Sequence, residues 1–329
     1  MVKETMKVGV IGAGKIAGRH IGAYKKFADV EVVVSDIDGD ASGRLASHFR
    51  IDCMGKTADI IENDAIQVVD VCTPVTSHKE IILAALKKGK HVFCEKPLCM
   101  SLLEAFQIKG AAENAEKMLM VGYLYRFHPA FVKVKEWLDE GLIGNVHFGI
   151  FRVGGRGSHQ AWKHLLSCGG GVINEMLIHK LDLVLWYLDR IDSVKVSAKE
   201  ILIKEREIGG QIVKADAEDM ILLDLRCGGA RIICEADFVS PVYMEYLEFH
   251  GDNGSIFTSV LSHLPTILFL KEGRGIYDKG STFVNFQQVN LFDLEIGHFL
   301  NCIKNGTRNM NSIDDSIKAL EIAEKLKEA

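Results

Sequence analysis

The 329 residues predict an α/β fold in two parts. Residues 1–125 read as a parallel sheet covered by helices. Residues 126–329 read as an α+β half with a mainly antiparallel open sheet. Three observations carry this. The first third alternates nearly continuous apolar runs with amphipathic ones, as expected of strands buried on both faces between crossover helices. A glycine-rich turn, Gly12-Ala13-Gly14-Lys15-Ile16-Ala17, follows the first of those runs. From about residue 145 the pattern becomes successive strand-like runs parted by turn residues such as Cys227-Gly228-Gly229, the mark of antiparallel pairing.

The elements follow in order. Strands are expected over 6–12, 30–36, 65–72, 90–96 and 117–123, each an apolar run of strand length. Helical periodicity fills the gaps at 15–27, 41–49, 78–89 and 101–115. The second half opens with a helix over 127–142 and a strand over 145–153. A mostly apolar helix is expected over 172–188, after Gly169-Gly170-Gly171. Strands follow at 193–203, 219–226, 230–238, 244–251 and 266–270, and helices at 291–306 and from Ser312.

Composition excludes several classes. A net charge of −5 argues against nucleic acid as the main partner. No apolar run approaches the ~20 residues that span a bilayer. The first residues, MVKETMKVGVIGAG, lack a secretory pattern and lead straight into a strand, so a cytoplasmic protein is expected. The eight cysteines are scattered, without metal or redox spacing, which fits reduced, buried thiols.

The glycine turn is a G-x-G-x-x-A placed between a strand and a helix, the context of a Rossmann dinucleotide site. There Gly12 makes the tight turn, and Gly14 lets a pyrophosphate approach the helix N-terminus beside Lys15 and Ile16. Asp36 ends the second strand at the spacing of the acid that binds the adenosine ribose hydroxyls. A carboxylate there repels a 2′-phosphate, and Ile37 and Asp38 offer no compensating cation, so NAD is the expected cofactor. Thr73, Pro74, His78, Glu95 and Lys96 lie at or just beyond later strand ends, on the side where open α/β sheets bind ligands. For Thr73 the alternative is a strand terminator, and for His78 a cap or packing role.

The stretch GGGVINEMLIHKLDLVLWYL, residues 169–188, poses the central question. Glu175, His179 and Asp182 recur at spacings of four and three, which places them on one helical stripe among apolar residues. A structural core pair and a substrate-facing stripe are both open. Metal binding is not expected, since no third ligand of recognisable spacing accompanies them. Asp182, Arg126, Arg156 and Trp162 are candidate substrate contacts, although a hydrogen bond that orients His179 is equally open to Asp182 and a structural ion pair to Arg126. The glycines around them, including 169–171, read as a flexible pocket rim.

The E-K-P of Glu95-Lys96-Pro97, the upstream Thr73-Pro74, Arg126-Phe127-His128-Pro129 and the glycine run before Glu175, His179 and Asp182 together resemble the Gfo/Idh/MocA family along the whole chain. The resemblance implies hydride transfer between nicotinamide and a carbinol carbon of a sugar, cyclitol or nucleotide sugar. It implies Lys96 and His179 as catalytic residues, with Glu175 where the family more often has aspartate. It also implies a homodimer or homotetramer joined sheet to sheet. Two further readings stay open: an NAD-using glycoside-cleaving enzyme with transient substrate oxidation, and a non-catalytic NAD-binding regulator.

Overall fold

The computed structural model describes residues 5–155 and 159–328. The chain forms two compact units, Met1–Leu124 with Asn290–Leu320, and Tyr125–Val289 with Glu321–Ala329. This division differs from a single cut at 125/126, because residues 290–320 rejoin the first unit.

In the first unit, β1 (Met6–Ile11), α1 (Lys15–Tyr24), β2 (Val30–Ser35), α2 (Gly39–Phe49), β3 (Asp52–Cys53), α3 (Thr57–Glu62), β4 (Val68–Val71), α4 (His78–Lys87), β5 (His91–Glu95), α5 (Leu102–Ala115) and β6 (Leu119–Gly122) succeed one another. The sheet order is β3-β2-β1-β4-β5-β6, parallel throughout. Its strands are apolar on both faces because helices cover both: Val8, Val10, Val34, Val68, Val71 and Phe93 are fully buried. The order reverses between β1 and β4, so the carboxyl ends of β1, β2, β4 and β5 share the edge at the switch point. The helix Leu291–Asn305 packs on α1, and Gly297 permits this: a Cβ there would lie 3.2 Å from Phe27. The ion pairs Lys26–Asp293 and Lys304–Asp29 tie the same helix to the segment between α1 and β2.

The second unit holds α6 (Pro129–Asp139), β7 (Val146–Gly154), α7 (Ile178–Leu188) and nine more strands: β8 (Ser193–Glu200), β9 (Glu205–Ile208), β10 (Gln211–Lys214), β11 (Met220–Cys227), β12 (Ala230–Asp237), β13 (Met244–Gly251), β14 (Gly254–Thr258), β15 (Thr266–Leu270) and β16 (Gly280–Val284). Eight of these strands form one sheet, ordered β16-β15-β14-β13-β7-β12-β11-β8. Every pairing in it is antiparallel except β7 with β12. β9 and β10 form a separate hairpin, whose Gly209-Gly210 turn has φ of 61° and 79°. A two-glycine turn with positive φ at both positions is a hairpin signal, and it was there to be read between EREI and QIVK. β14 and β16 are also additions to the expected strands; both begin at glycine and are short, which weakens the apolar pattern.

Two histidines make the fold sensitive to acid. His91 Nδ1 accepts the Met118 N–H at 3.0 Å, and His128 Nδ1 accepts the Ala130 N–H at 3.3 Å as the N-cap of α6. Both contacts need a neutral ring. Burial pushes each imidazole down to about 4, helped by Lys117 at His91 and by Lys180 at His128. An unfolded histidine titrates near ~6.5, so the unfolded chain binds more protons between roughly 6.5 and 4. These two groups therefore make stability fall as pH falls through that window. In calorimetric melts, His128→Asn, which retains a cap acceptor but does not titrate, is expected to flatten that decline. An unchanged slope would remove His128 from this account.

Candidate functional site

In the first unit, the expected cofactor residues line the switch-point edge. Gly12 has φ 102°, and a Cβ there would lie 2.6 Å from the Cys72 carbonyl oxygen, so the turn after β1 requires glycine. Gly14 is the N-cap of α1, with no side-chain cap and open space around its Cα. That leaves first-turn amides available to an anion, the arrangement a pyrophosphate needs. Lys15 and Ile16 are exposed at the start of α1. Asp36 Oδ2 accepts the Ala13 N–H at 2.5 Å and Oδ1 accepts the Asp38 N–H at 2.9 Å, which fixes the carboxylate beside the glycine turn. The residues present fit a bound dinucleotide.

Thr73 and Pro74 follow β4; Thr73 Oγ1 accepts from Ser77 Oγ at 2.8 Å, and Pro74 is exposed. His78 departs from the expected cofactor role. It is 1% exposed, with Nε2 2.9 Å from the Thr73 carbonyl and Nδ1 3.0 Å from the Pro97 carbonyl. It braces the two loops, because a ring buried between backbone groups presents no face to a ligand. Glu95 also works inside the protein: Oε1 lies 3.2 Å from His20 Nε2, and Oε2 accepts the Lys96 N–H at 3.2 Å. Lys96 itself is partly exposed at the end of β5.

In the second unit, the apolar helix begins with a π-helical turn, Ile173–Leu177, before α7. The expected stripe assumed 3.6 residues per turn throughout; a wider turn of this kind is frequent at functional sites. Across Gly170–Asp182 every residue is buried except Glu175 and His179, which are half-buried. Glu175 pairs with Lys163 Nζ at 2.6 Å, and Lys163 also lies over the Trp162 ring at 5.3 Å. Trp162 is 37% exposed. The His179 ring packs 4.9 Å from the Tyr125 ring, and the Tyr125 hydroxyl is 2.8 Å from that of Tyr243.

Asp182 leaves the stripe. It is 1% exposed and is held by Arg126, whose Nη2 donates to Oδ1 at 2.6 Å and whose Nε lies 3.0 Å from Oδ2. Arg126 is 2% exposed and lies over the Trp186 ring at 5.8 Å. The structural ion pair left open for Arg126 is the one observed, and Asp182 is its partner rather than a group facing substrate. Arg156 lies outside the described residues. The glycines before the helix are not a flexible rim. A Cβ on Gly170 would lie 2.6 Å from the Lys163 carbonyl, and Gly171, with φ 102°, would meet Glu218 at 2.3 Å. They allow close packing, and Glu218 Oε1 then accepts the Ile173 N–H at 3.0 Å.

Sequence reasoning missed Tyr125, Tyr243 and the ion pair of Lys180 with Glu245, both fully buried. Lys180 follows His179 directly, and its ammonium lies over the Tyr125 ring at 5.3 Å. A lysine inside an apolar helix was a legible sign of a buried partner; which acid supplied it was not.

None of the eight cysteines is joined in a disulfide. Among the described residues no helix is long and apolar enough to cross a membrane.

Known proteins carry the same two-part pattern. Residues 6–123 match a family model described as an oxidoreductase family with an NAD-binding Rossmann fold, and residues 131–257 match the C-terminal domain model of the same family. The chain is 27% identical to the myo-inositol 2-dehydrogenase of Thermotoga maritima over 96% of its own length and 93% of that protein's. It is 28% identical to the NAD(+) scyllo-inositol 2-dehydrogenase of Bacillus subtilis, over 79% of this chain and 74% of that one. In fold it is similar to levoglucosan dehydrogenase solved with NADH and L-sorbose, with a TM-score of 0.90, 22% identity, and coverage of 98% and 96% of the two chains. The glycine turn with its aspartate, the E-K-P strand end and the Glu175–His179 helix thus stand within two adjacent matches to one family: the chain belongs to the Gfo/Idh/MocA oxidoreductases, whose first domain is an NAD-binding Rossmann fold.

Proposed function

We propose that the protein is an NAD-dependent dehydrogenase acting on a carbinol carbon of a cyclitol or free sugar. The observation that carries this reading is that Glu175 and His179 are the two half-buried residues in an otherwise buried helix segment. His179 serves as general base for the hydroxyl proton, because imidazole titrates near working pH. Lys96, at the strand end of the first unit, is the cation proposed to stabilise negative charge that develops on the substrate oxygen. When bound, NAD supplies the hydride acceptor. Gly12, Gly14, Lys15, Ile16, Thr73 and Pro74 hold it along the strand ends, with Asp36 on the ribose. Trp162 gives a sugar ring an apolar face. Two of the named relatives are inositol dehydrogenases, which supports a cyclitol. A nucleotide sugar is less well supported, since Arg126 already holds Asp182.

The test is a panel of inositols, anhydrosugars, aldoses and nucleotide sugars assayed for NADH formation. Turnover with a cyclitol or free sugar is expected. Glycoside cleavage without net NADH would move the assignment to the hydrolytic reading.

Cofactor choice gives a separate prediction. Asp36 should favour NAD over NADP, and Asp36→Ala should weaken NAD by about 10-fold or more, the scale of losing charge-assisted hydrogen bonds. Fluorescence titration with both cofactors checks it; equal affinity for both in the unaltered protein would remove Asp36 from this role.

The Lys163–Glu175 pair gives another. Glu175 lies one turn before His179, where its charge favours a protonated ring. Glu175→Gln should move the acidic limb of the oxidation profile to lower pH. Lys163→Met, which leaves the carboxylate uncompensated, should move it to higher pH. Two limbs that stay in place would make the pair purely structural.

A homodimer or homotetramer joined through the eight-stranded sheet completes the proposal, supported by the half-buried apolar residues Phe148, Ile150, Leu222 and Ile233. Light scattering on the purified protein reads its mass.

A further inference from the structure

Beneath the E-K-P turn, within the first unit, lies a buried polar cluster that the proposed chemistry does not use. His20 on α1 is 0% exposed. Its Nδ1 is 2.9 Å from Asp70 Oδ2, and its Nε2 is 3.2 Å from Glu95 Oε1. Cys72 Sγ lies 3.4 Å from Nδ1 and 3.4 Å from Asp70 Oδ1. Phe93 packs edge-on to the ring at 5.2 Å, and Phe292 lies at 5.5 Å.

A neutral imidazole has one N–H. Placed between two carboxylates, it would point a lone pair at one of them. Two N–H donors satisfy both, so the geometry asks for an imidazolium with Asp70 and Glu95 as its acceptors. The electrostatics agree. Burial pushes the ring down, but Asp70 and the neighbouring Cys72 outweigh it, and the imidazole holds its proton well above the ordinary histidine range. Asp70 is the first of these raising neighbours, and burial pushes the Cys72 thiol up.

Glu95 connects this cluster to the site. One of its oxygens faces His20, and the other accepts the backbone N–H of Lys96. We infer that His20, anchored by Asp70, is a positioning residue: it fixes the Glu95 carboxylate, which holds the Lys96 backbone and thereby sets where the lysine ammonium stands. This rests on the reading of Lys96 given above. An ångström of misplacement at a catalytic group costs rate without a matching loss of ground-state binding.

The test uses His20→Gln, Glu95→Gln and the double variant in the full chain, with Lys96→Met alongside. His20→Gln retains one donor and removes the charge. Turnover is expected to fall about 10-fold, with substrate KM and NAD affinity within about 2-fold. Glu95→Gln should lose a similar factor, and the double variant no more than either alone, because both act through one chain of contacts. Nitrogen NMR of the resting protein, assigned by difference from His20→Gln, should show both His20 ring nitrogens protonated at pH 8. A neutral ring, an unaltered turnover number in His20→Gln, or losses that multiply in the double variant would each overturn the inference. Stoichiometric zinc in protein purified without chelator would also overturn it, by making His20, Asp70 and Cys72 ligands. Lys96→Met separates the two levels: if it turns over normally, the reading of Lys96 fails; if it is impaired while His20→Gln is not, only the role of His20 fails.

Discussion

Lys96→Met is expected to lower turnover by ~10²-fold or more while leaving NAD affinity intact. The substitution removes the ammonium and roughly keeps the volume, so the strand end should stay folded. What disappears is a donor aimed at oxygen as negative charge develops on it. Because that charge is largest in the transition state, kcat should fall far more than KM rises. His179→Asn removes the base instead and should cost ~10²- to 10⁴-fold. The two also differ in pH dependence: the limb assigned to the base should vanish from the His179→Asn profile and persist in Lys96→Met. Steady-state kinetics across pH, with NAD binding measured separately, decides it. Near-normal turnover of Lys96→Met would leave the E-K-P lysine a strand-end residue with no part in chemistry.

Asp182→Asn should be strongly destabilising. It leaves the Arg126 guanidinium buried without its counter-charge. Breaking a buried pair in this way typically costs about 3–5 kcal/mol. For a unit of this size that is a fall in Tm of roughly 6–20 °C. Replacing both partners by apolar residues, as in Arg126→Met with Asp182→Leu, should recover much of the loss, because no charge is then stranded. Calorimetric melts of the singles and the double close the cycle. If Asp182→Asn keeps its Tm and instead raises KM, Asp182 contacts substrate after all and the ion pair is dispensable.

Much of this was legible in the chain itself. The first sheet declared itself because strands buried on both faces must be continuously apolar, and short crossovers allow little besides parallel order. Gly12 was readable because a tight strand–helix turn demands positive φ, and Asp36 because its distance from the turn is set by one helix and one strand. Lys96 was readable because it sits at a strand end on the ligand edge. Glu175 and His179 stood out because an apolar helix rarely carries such groups without use.

Other features depend on which distant residues meet. The return of 290–305 to α1 brings Gly297 close to Phe27 and is tied by ion pairs that link residues far apart in the chain. Spacing placed Asp182 beside His179 on the stripe, but a carboxylate is governed by the nearest cation, and tertiary packing supplies Arg126. Lys163 and Tyr125 came to Glu175 and His179 in the same way. The His20 cluster gathers α1, β4 and β5, which only the strand order makes neighbours. Local periodicity thus marked most of the elements, the edge that carries the glycine turn and the two polar positions of the helix proposed for chemistry. The charge partners awaited the fold, because electrostatic pairing acts through space and leaves no period in the sequence.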